Sequence, residues 1–263
     1  MRQVIDSYRV MAKYYDAAYA AMDLVDRAFY VDLAKECGGP VLEIGCGTGR
    51  ILLPIAREGI EIHGVDNSGP MLGLLKESLT RDNPAVRNKV SLHAGDMREF
   101  QLSRTFPLVT IPFRPMQHMH SVADQLRALT SAAAHIAKGG MLAFDVFYPK
   151  FEVLQLGIGE EKLEAEWSPS SGPETVIRRY YRKDGVDKIK QTFALTFIFR
   201  SYRNGQLELE TDGLTMSYYT YPHLQSLFLL AGLEPVAEYG SFSKTALDNS
   251  AEEMIFLLRR TGS

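Results

Sequence analysis

Between Pro40 and Pro149, short apolar runs alternate with stretches of helical spacing, the pattern of strands buried on both faces of a parallel sheet. Val41–Ile44, Ile60–Val65, Val90–His93, Leu108–Ile111 and Met141–Val146 read as strands. Helices are expected near Arg50–Arg57, Pro70–Leu79 and Ser121–Ala137. The last carries Val122, Leu126, Leu129 and Ala133 on one stripe and runs into Lys138-Gly139-Gly140, which reads as a helix stop.

From Phe151 to about Tyr219 the spacing changes to two. Thr175–Tyr181 reads as one strand, and Phe193, Leu195, Phe197 and Phe199 alternate along another. Asn204-Gly205 signals a hairpin, with Leu207 and Leu209 following at the same period. A two-residue loop would set Phe199 against Glu210 and Phe197 against Asp212, pairings that sheets avoid, so a longer loop or a bulge near Gly205 is expected. The phenylalanine face is expected to pack toward the main domain. A helix at Pro222–Ala231, ended by Gly232, and strands near Pro235–Glu238 and Met254–Leu258 complete the chain. The pattern divides into a helical cap over 1–39, an α/β domain made of 40–150 and 220–263, and an antiparallel insertion over 151–219.

Composition narrows the field of functions. Apolar residues make up 46% of the 263 and charged residues 23%, enough for a full core. A formal net charge of −3 provides no basic field, so no nucleic acid is expected as partner. The two cysteines, Cys37 and Cys46, form neither a disulfide framework nor a C-x-x-C metal pair. The first residues lack the apolar run of a signal peptide, and no segment approaches the roughly 20 apolar residues of a bilayer span. A cytoplasmic chain without membrane contact is the expectation; a homodimer stays open.

The informative segment is Val41-Leu42-Glu43-Ile44-Gly45-Cys46-Gly47-Thr48-Gly49-Arg50, a buried strand running into a glycine turn that opens a helix. Such a turn lets a ligand press on backbone and presents free N–H groups. The dinucleotide spacing Gly-x-Gly-x-x-Gly needs glycine at position 50, where Arg50 stands. Glu43 also opposes a diphosphate and suits a ligand bearing an ammonium or sulfonium group. The next strand ends at Asp66-Asn67, where an acid can accept from both ribose hydroxyls, and the third leads to Gly95-Asp96-Met97, where Asp96 can accept from an adenine amino group. Three motifs thus stand at three successive strand ends, where such sheets bind ligands. Each acid taken alone is an ordinary turn former or cap.

With these motifs the chain resembles the class I S-adenosylmethionine-dependent methyltransferases. The resemblance implies an α/β, Rossmann-like, seven-stranded and mostly parallel sheet whose last strand is antiparallel, with a small antiparallel β insertion. It reaches further, to amino-sugar N-methyltransferases, through Gly95-Asp96-Met97-Arg98-Glu99-Phe100 and through Tyr15-Asp16-Ala17-Ala18-Tyr19. Carried over, Tyr15 and Tyr19 would cover the cofactor, Tyr8 would cap the transfer site, and His118 would be an acid/base group. The Asn/Asp-Pro-Pro-Tyr run of enzymes that methylate amides or bases is absent; Ile111-Pro112-Phe113-Arg114 stands there instead.

Together these readings name S-adenosylmethionine as cofactor and a small-molecule nitrogen or oxygen nucleophile as acceptor. Tyr15, Tyr19, Glu43, Gly45, Cys46, Gly47, Gly49, Asp66, Asn67, Met71, Asp96, Met97 and Pro112 are the expected cofactor residues, and His118 and Tyr8 the catalytic ones. The plainer account of His118 is a loop histidine bonded to backbone. His118-Met119-His120 lacks a third metal ligand, so no metal is expected. Arg50 reads as an exposed helix-starting residue. Among Trp167, Arg178, Tyr180, Tyr181, Tyr218, Tyr219 and Tyr221, some are expected to line the acceptor pocket, which the phenylalanine face would close. A cofactor-binding protein without catalysis and a nicotinamide-dependent dehydrogenase are the competing functions; Glu43 and Arg50 oppose the second.

Overall fold

The computed structural model of the chain describes residues 9–22, 24–155, 157–169, 174–203 and 205–262. It divides into two units, one of Met1–Leu24 with Lys150–Met216 and one of Val25–Pro149 with Ser217–Ser263. The N-terminal helical stretch, expected as one cap over 1–39, is thus divided between them. Tyr8 lies outside the described residues.

The larger unit begins with helix α2 (Asp26–Cys37) and continues as β1 (Val41–Ile44), α3 (Leu52–Arg57), β2 (Ile62–Asp66), α4 (Gly69–Arg81), α5 (Pro84–Arg87), β3 (Val90–Ala94), β4 (Phe106–Ile111), a 3₁₀ helix (Pro115–His118), α6 (Val122–Ala134) and β5 (Ile136–Phe147). After the second unit it ends with α8 (Tyr221–Leu230), β10 (Leu233–Tyr239) and β11 (Glu253–Arg260). The seven strands lie in the order β10-β11-β5-β4-β1-β2-β3. Pairing is parallel from β5 through β3, and β11 runs antiparallel to both neighbours, the expected topology. Strand order reverses at β1 and β4, so the ends of β1, β2 and β4 bound the crevice where such sheets take ligands. One face of the sheet is packed around Leu42, Phe144 and Phe256, the other around Val41, Ile62 and Ala143, as alternation along buried strands requires.

One boundary differs from expectation. Helix α6 ends at Ala134, and Lys138-Gly139-Gly140 lies inside β5 instead of stopping the helix. Phe106 pairs with Ile136 but Leu108 pairs with Met141, so the glycines form a bulge opposite Pro107. A Cβ on Gly140 would stand 2.8 Å from Pro107 O and 2.9 Å from Phe106 O, which explains the glycine better than a helix end does. Val122, expected on the buried stripe, is 57% exposed.

The smaller unit holds α1 (Arg9–Ala20), α7 (Phe151–Gln155) and a four-stranded sheet ordered β6 (Glu161–Trp167), β7 (Val176–Asp187), β8 (Thr192–Arg203) and β9 (Gln206–Ser217). Its strands are longer than the sequence signals suggested, and β6 was not expected. Asn204, at the expected hairpin between β8 and β9, lies outside the described residues. Phe197 and Phe199 pack within this unit against Met11 and Tyr14 of α1. Tyr14 stacks on Phe199 at 4.6 Å, and Asp212 of β9 accepts from the backbone N–H groups of Val10 and Met11 at 3.0 and 2.7 Å, holding the helix start.

Gly140→Ala is expected to cost about 1–3 kcal/mol, because the methyl meets backbone that cannot yield. Urea unfolding of the variant checks this, and a cost below 0.5 kcal/mol would restore the helix-stop reading, roughly the noise of surface changes.

Candidate functional site

The glycine turn rests on the end of β2. Gly45 and Cys46 both donate their N–H to Val65 O, at 2.7 and 3.2 Å, and Gly47 N donates to Asp66 Oδ2 at 2.8 Å. Gly45 takes φ +76, and a Cβ there would lie 2.6 Å from Pro115, so glycine is what lets the turn abut the loop after β4. A Cβ on Gly47 would meet nothing within 4 Å, which leaves that side of the turn open. Gly49 packs against Leu53 and Leu75. The Cys46 thiol is buried beside Gly64, and burial raises its pKa well above the ordinary value, so it fills space as a neutral group.

At the following strand ends, Asp66 Oδ1 accepts from Ser68 N at 2.8 Å. Asn67 is exposed, and Met71 is buried in α4, whose start Ser68 caps by accepting from Met71 N. Asp96 turns back on its own loop. Its Oδ1 accepts from Arg98 N and Nε, both at 2.9 Å, and Oδ2 from Arg98 Nη2. These bonds hold the Asp96 carboxyl below its usual range. Met97 is half-buried against the core and Pro112 is buried.

The loop after β4 is held in strained backbone by several distant groups. Phe113 and Arg114 both adopt left-handed backbone, φ 62 and 73, at a cost of about 1–2 kcal/mol each for residues with a Cβ. Buried groups hold them there. Phe113 N donates to Asp145 Oδ1 at 2.9 Å, and Tyr30 of α2 donates its hydroxyl to the same oxygen at 2.7 Å. Arg114 pairs through Nη2 with Glu253 at the start of β11. Arg50 sits over the Phe113 ring, 4.3 Å from its centroid, and forks onto Asp26, one bond at 2.7 Å and the other between Nη2 and Oδ2. The Arg50 side chain is only 11% exposed, so the exposed helix-starting role is corrected: it ties the turn to α2.

Beyond Arg114 the 3₁₀ helix carries His118. Met116 O accepts from the Tyr219 hydroxyl at 2.6 Å, Gln117 donates from Nε2 to Ser217 O at 2.8 Å, and Met119 O accepts from Ser217 Oγ and Gln125 Nε2. Burial, reinforced by His120, pushes the His118 pKa down to about 4, so the imidazole is neutral at physiological pH. Tyr219, expected as a pocket candidate, is fully buried and braces this helix instead.

Burial also raises the acids of this region. Glu43, 2% exposed, has its carboxyl well above the usual range despite the charge of Arg50, and its Oε2 has no hydrogen-bond partner among the described residues. Asp145 is raised by burial, and Glu253 is raised to about 7 by burial against the pull of Arg114. An orphaned buried carboxylate oxygen on the strand that runs into an open glycine turn fits a ligand that brings positive charge. A diphosphate would add charge of the wrong sign. Among the described residues no group of three or more His, Cys, Asp or Glu side chains gathers in a way that could hold a metal ion.

Tyr15 and Tyr19 belong to the smaller unit, where their rings meet edge-on at 4.5 Å. Tyr19 Oη accepts from Arg179 Nη2 at 3.1 Å. Arg178, another pocket candidate, pairs with Glu166 at the surface, and Tyr221 bonds Glu238.

Residues 41–140 match the family model described as a methyltransferase domain. This segment is a methyltransferase domain. It is 32% identical over 108 residues to the dTDP-3-amino-3,6-dideoxy-alpha-D-glucopyranose N,N-dimethyltransferase of Streptomyces fradiae, covering 41% of this chain and 39% of the relative. The matched part is thus about two fifths of that relative's length. The cypemycin N-terminal methyltransferase of a Streptomyces species is 25% identical over 229 residues, covering 85% of this chain and 84% of its own. In fold the chain is similar to the structure described as SAM-bound CalS10, an amino pentose methyltransferase from Micromonospora echinaspora, with a TM-score of 0.73, 21% identity, and coverage of 94% and 96%.

Within the larger unit, sequence reading missed Asp26, Tyr30, Gln117, Asp145 and Glu253. Asp145 had a usable signal, an acid inside the otherwise apolar run Met141–Val146. Asp26 and Tyr30 also had one, being four apart on a helix and so on one face. Glu253 had none.

Arg50→Ala is expected to destabilise the chain by about 3–5 kcal/mol, because Asp26, 2% exposed, is left buried without its countercharge. Chemical denaturation measures it; a loss under about 1 kcal/mol would mean that the pair behaves as a surface bridge.

Proposed function

We propose that the chain transfers a methyl group from S-adenosylmethionine to an amino nitrogen of a small molecule, with a nucleotide-linked amino sugar as the acceptor class. The observation that carries the reading is the orphaned Glu43 oxygen on the strand that runs into the open glycine turn. The cofactor bears a sulfonium and an ammonium, and either supplies the missing positive charge. The relatives support the acceptor, since two of them carry names that specify N,N-dimethylation of dTDP-linked amino sugars. A nitrogen acceptor is preferred here over oxygen.

When bound, the cofactor supplies a methyl group on an excellent leaving group, so the chain's task is alignment and exclusion of water. In this reading Asp66 accepts from the ribose hydroxyls with the lone pairs that Gly47 and Ser68 leave over. Asp96, kept ionised by Arg98, accepts from the adenine amino group, with Met97 against the ring. Gly45, Cys46, Gly47 and Gly49 shape the turn, and Asn67, Met71 and Pro112 border it.

The depressed pKa of His118 changes what this residue can do. Moving a proton from an ammonium of pKa near 8 to an imidazole of pKa about 4 is uphill by roughly 4 units, or about 5 kcal/mol. His118 therefore does not deprotonate the acceptor in advance. It accepts a hydrogen bond from an amine that arrives neutral, orients the lone pair, and stabilises the N–H bonds as positive charge grows on nitrogen.

Asp66→Ala is expected to weaken S-adenosylhomocysteine binding about 10- to 150-fold, the loss of a charged hydrogen-bond partner, as read by calorimetry. Unchanged affinity removes Asp66 from the site.

For an amino-sugar nucleotide acceptor, His118→Ala is expected to lower kcat about 10²-fold and to leave cofactor affinity intact. The acidic limb of kcat/KM should sit near pH 8 in both proteins, the amine's own titration, by about the α-amino value. A wild-type limb near 6.5 that vanishes in the variant would instead make His118 the base.

A further inference from the structure

Two successive residues with side chains hold left-handed backbone immediately before the helix that bears His118. Neither is glycine or asparagine, so local preference does not put them there. Their restraints come from far along the chain: Asp145 on the Phe113 amide, and Glu253, on the opposite side of β5 from β4, on the Arg114 guanidinium. Arg114 also lies 5.8 Å from the centroids of both Phe113 and Phe147, and its carbonyl accepts from Gln117 N at 2.9 Å, the first bond of the short helix. Displacing the Arg114 side chain therefore displaces the carbonyl on which that helix starts. Glu253 can act on the loop without touching any ligand.

We propose that Glu253 is a positioning residue: through its ion pair with Arg114 it holds the left-handed turn and thereby fixes the short helix that presents His118 for methyl transfer. The proposal rests on the reading of His118 above for its bearing on turnover, and on the loop geometry alone for its effect on the helix. The geometry separates this pair from ordinary packing, because β11 is already secured by its six-residue register with β5 and by β10.

Amide hydrogen exchange on the full chain, with S-adenosylhomocysteine present and absent, tests it without an acceptor. In Glu253→Gln, the Gln117 and Met119 amides are expected to exchange at least about 10-fold faster, while those of Ile255 and Phe256 in β11 change less than about twofold. Arg114→Gly keeps the left-handed backbone without strain but loses the pair, and it should reproduce the loosening; Arg114→Lys, which keeps the charge, should restore much of the protection. Unchanged exchange at Gln117 and Met119 overturns the proposal. Equal acceleration along β11 and β5 also overturns it, by making Glu253 a general packing residue. Should Glu253→Gln fail to fold, the Gly and Lys variants of Arg114 decide alone. Failure of the wild-type chain to bind S-adenosylhomocysteine would sink the cofactor reading, and the exchange comparison would still decide this one.

Discussion

The buried charge at the carboxyl ends of β1, β4 and β5 is the constraint around which the larger unit is organised. Asp26, Glu43, Asp145 and Glu253 lie there with Arg50 and Arg114, more acid than base. Buried charge is tolerated only when it is paired, hydrogen-bonded or neutralised by a proton, and each device is in use. Asp26 is forked by Arg50, Asp145 collects two donors, and Glu43 and Glu253 are pushed toward their protonated forms. Glu43 stands on the strand that runs into the glycine turn with Oε2 unpartnered among the described residues, and a bound cation would draw it back toward its ionised form. That imbalance prefers a cationic ligand over a phosphate-bearing one more firmly than the turn's spacing does.

The same charges are the mechanical links of the site. Arg50 reaches from the glycine turn to α2 and lies on Phe113, so turn, helix and post-β4 loop share one side chain. Asp145 adds a second tie between α2 and that loop through Tyr30. Charge-assisted hydrogen bonds, about 1.5–3 kcal/mol each, are strong enough to offset left-handed backbone at Phe113 and Arg114. Preorganisation of this kind is what an in-line displacement needs, because the chemistry asks for alignment and little else.

The smaller unit solves a similar problem by another route. Arg179 is 1% exposed in β7, held between the rings of Tyr19 and Phe197 at 4.7 and 4.5 Å, with Glu164 2.9 Å from its Nε. A guanidinium stacks on aromatic faces where an ammonium would demand water, so arginine fits this sandwich and lysine would not. Its bond to Tyr19 secures one of the two tyrosines of the N-terminal signature to the sheet.

Local pattern was enough for much of this protein. Strands buried on both faces write themselves as continuous apolar runs, and a glycine turn with acids at the next strand ends leaves few ligands, so the parallel sheet and the cofactor class were legible in the residues, while the antiparallel last strand came from the family resemblance. The bulge at Gly139-Gly140 was not, because glycine marks a helix end and a close backbone approach with the same letter, and only Pro107 across the sheet tells them apart. Arg50 looked exposed because its partner Asp26 is 24 positions away. The pKa of His118 and the roles of Tyr219 and Glu253 were beyond reach for the same reason: burial and distant charge set them, and neither has a local signature. Sequence determined which groups are present and at which strand ends they stand; the tertiary structure decided which are dry, which are paired, and so which carry charge.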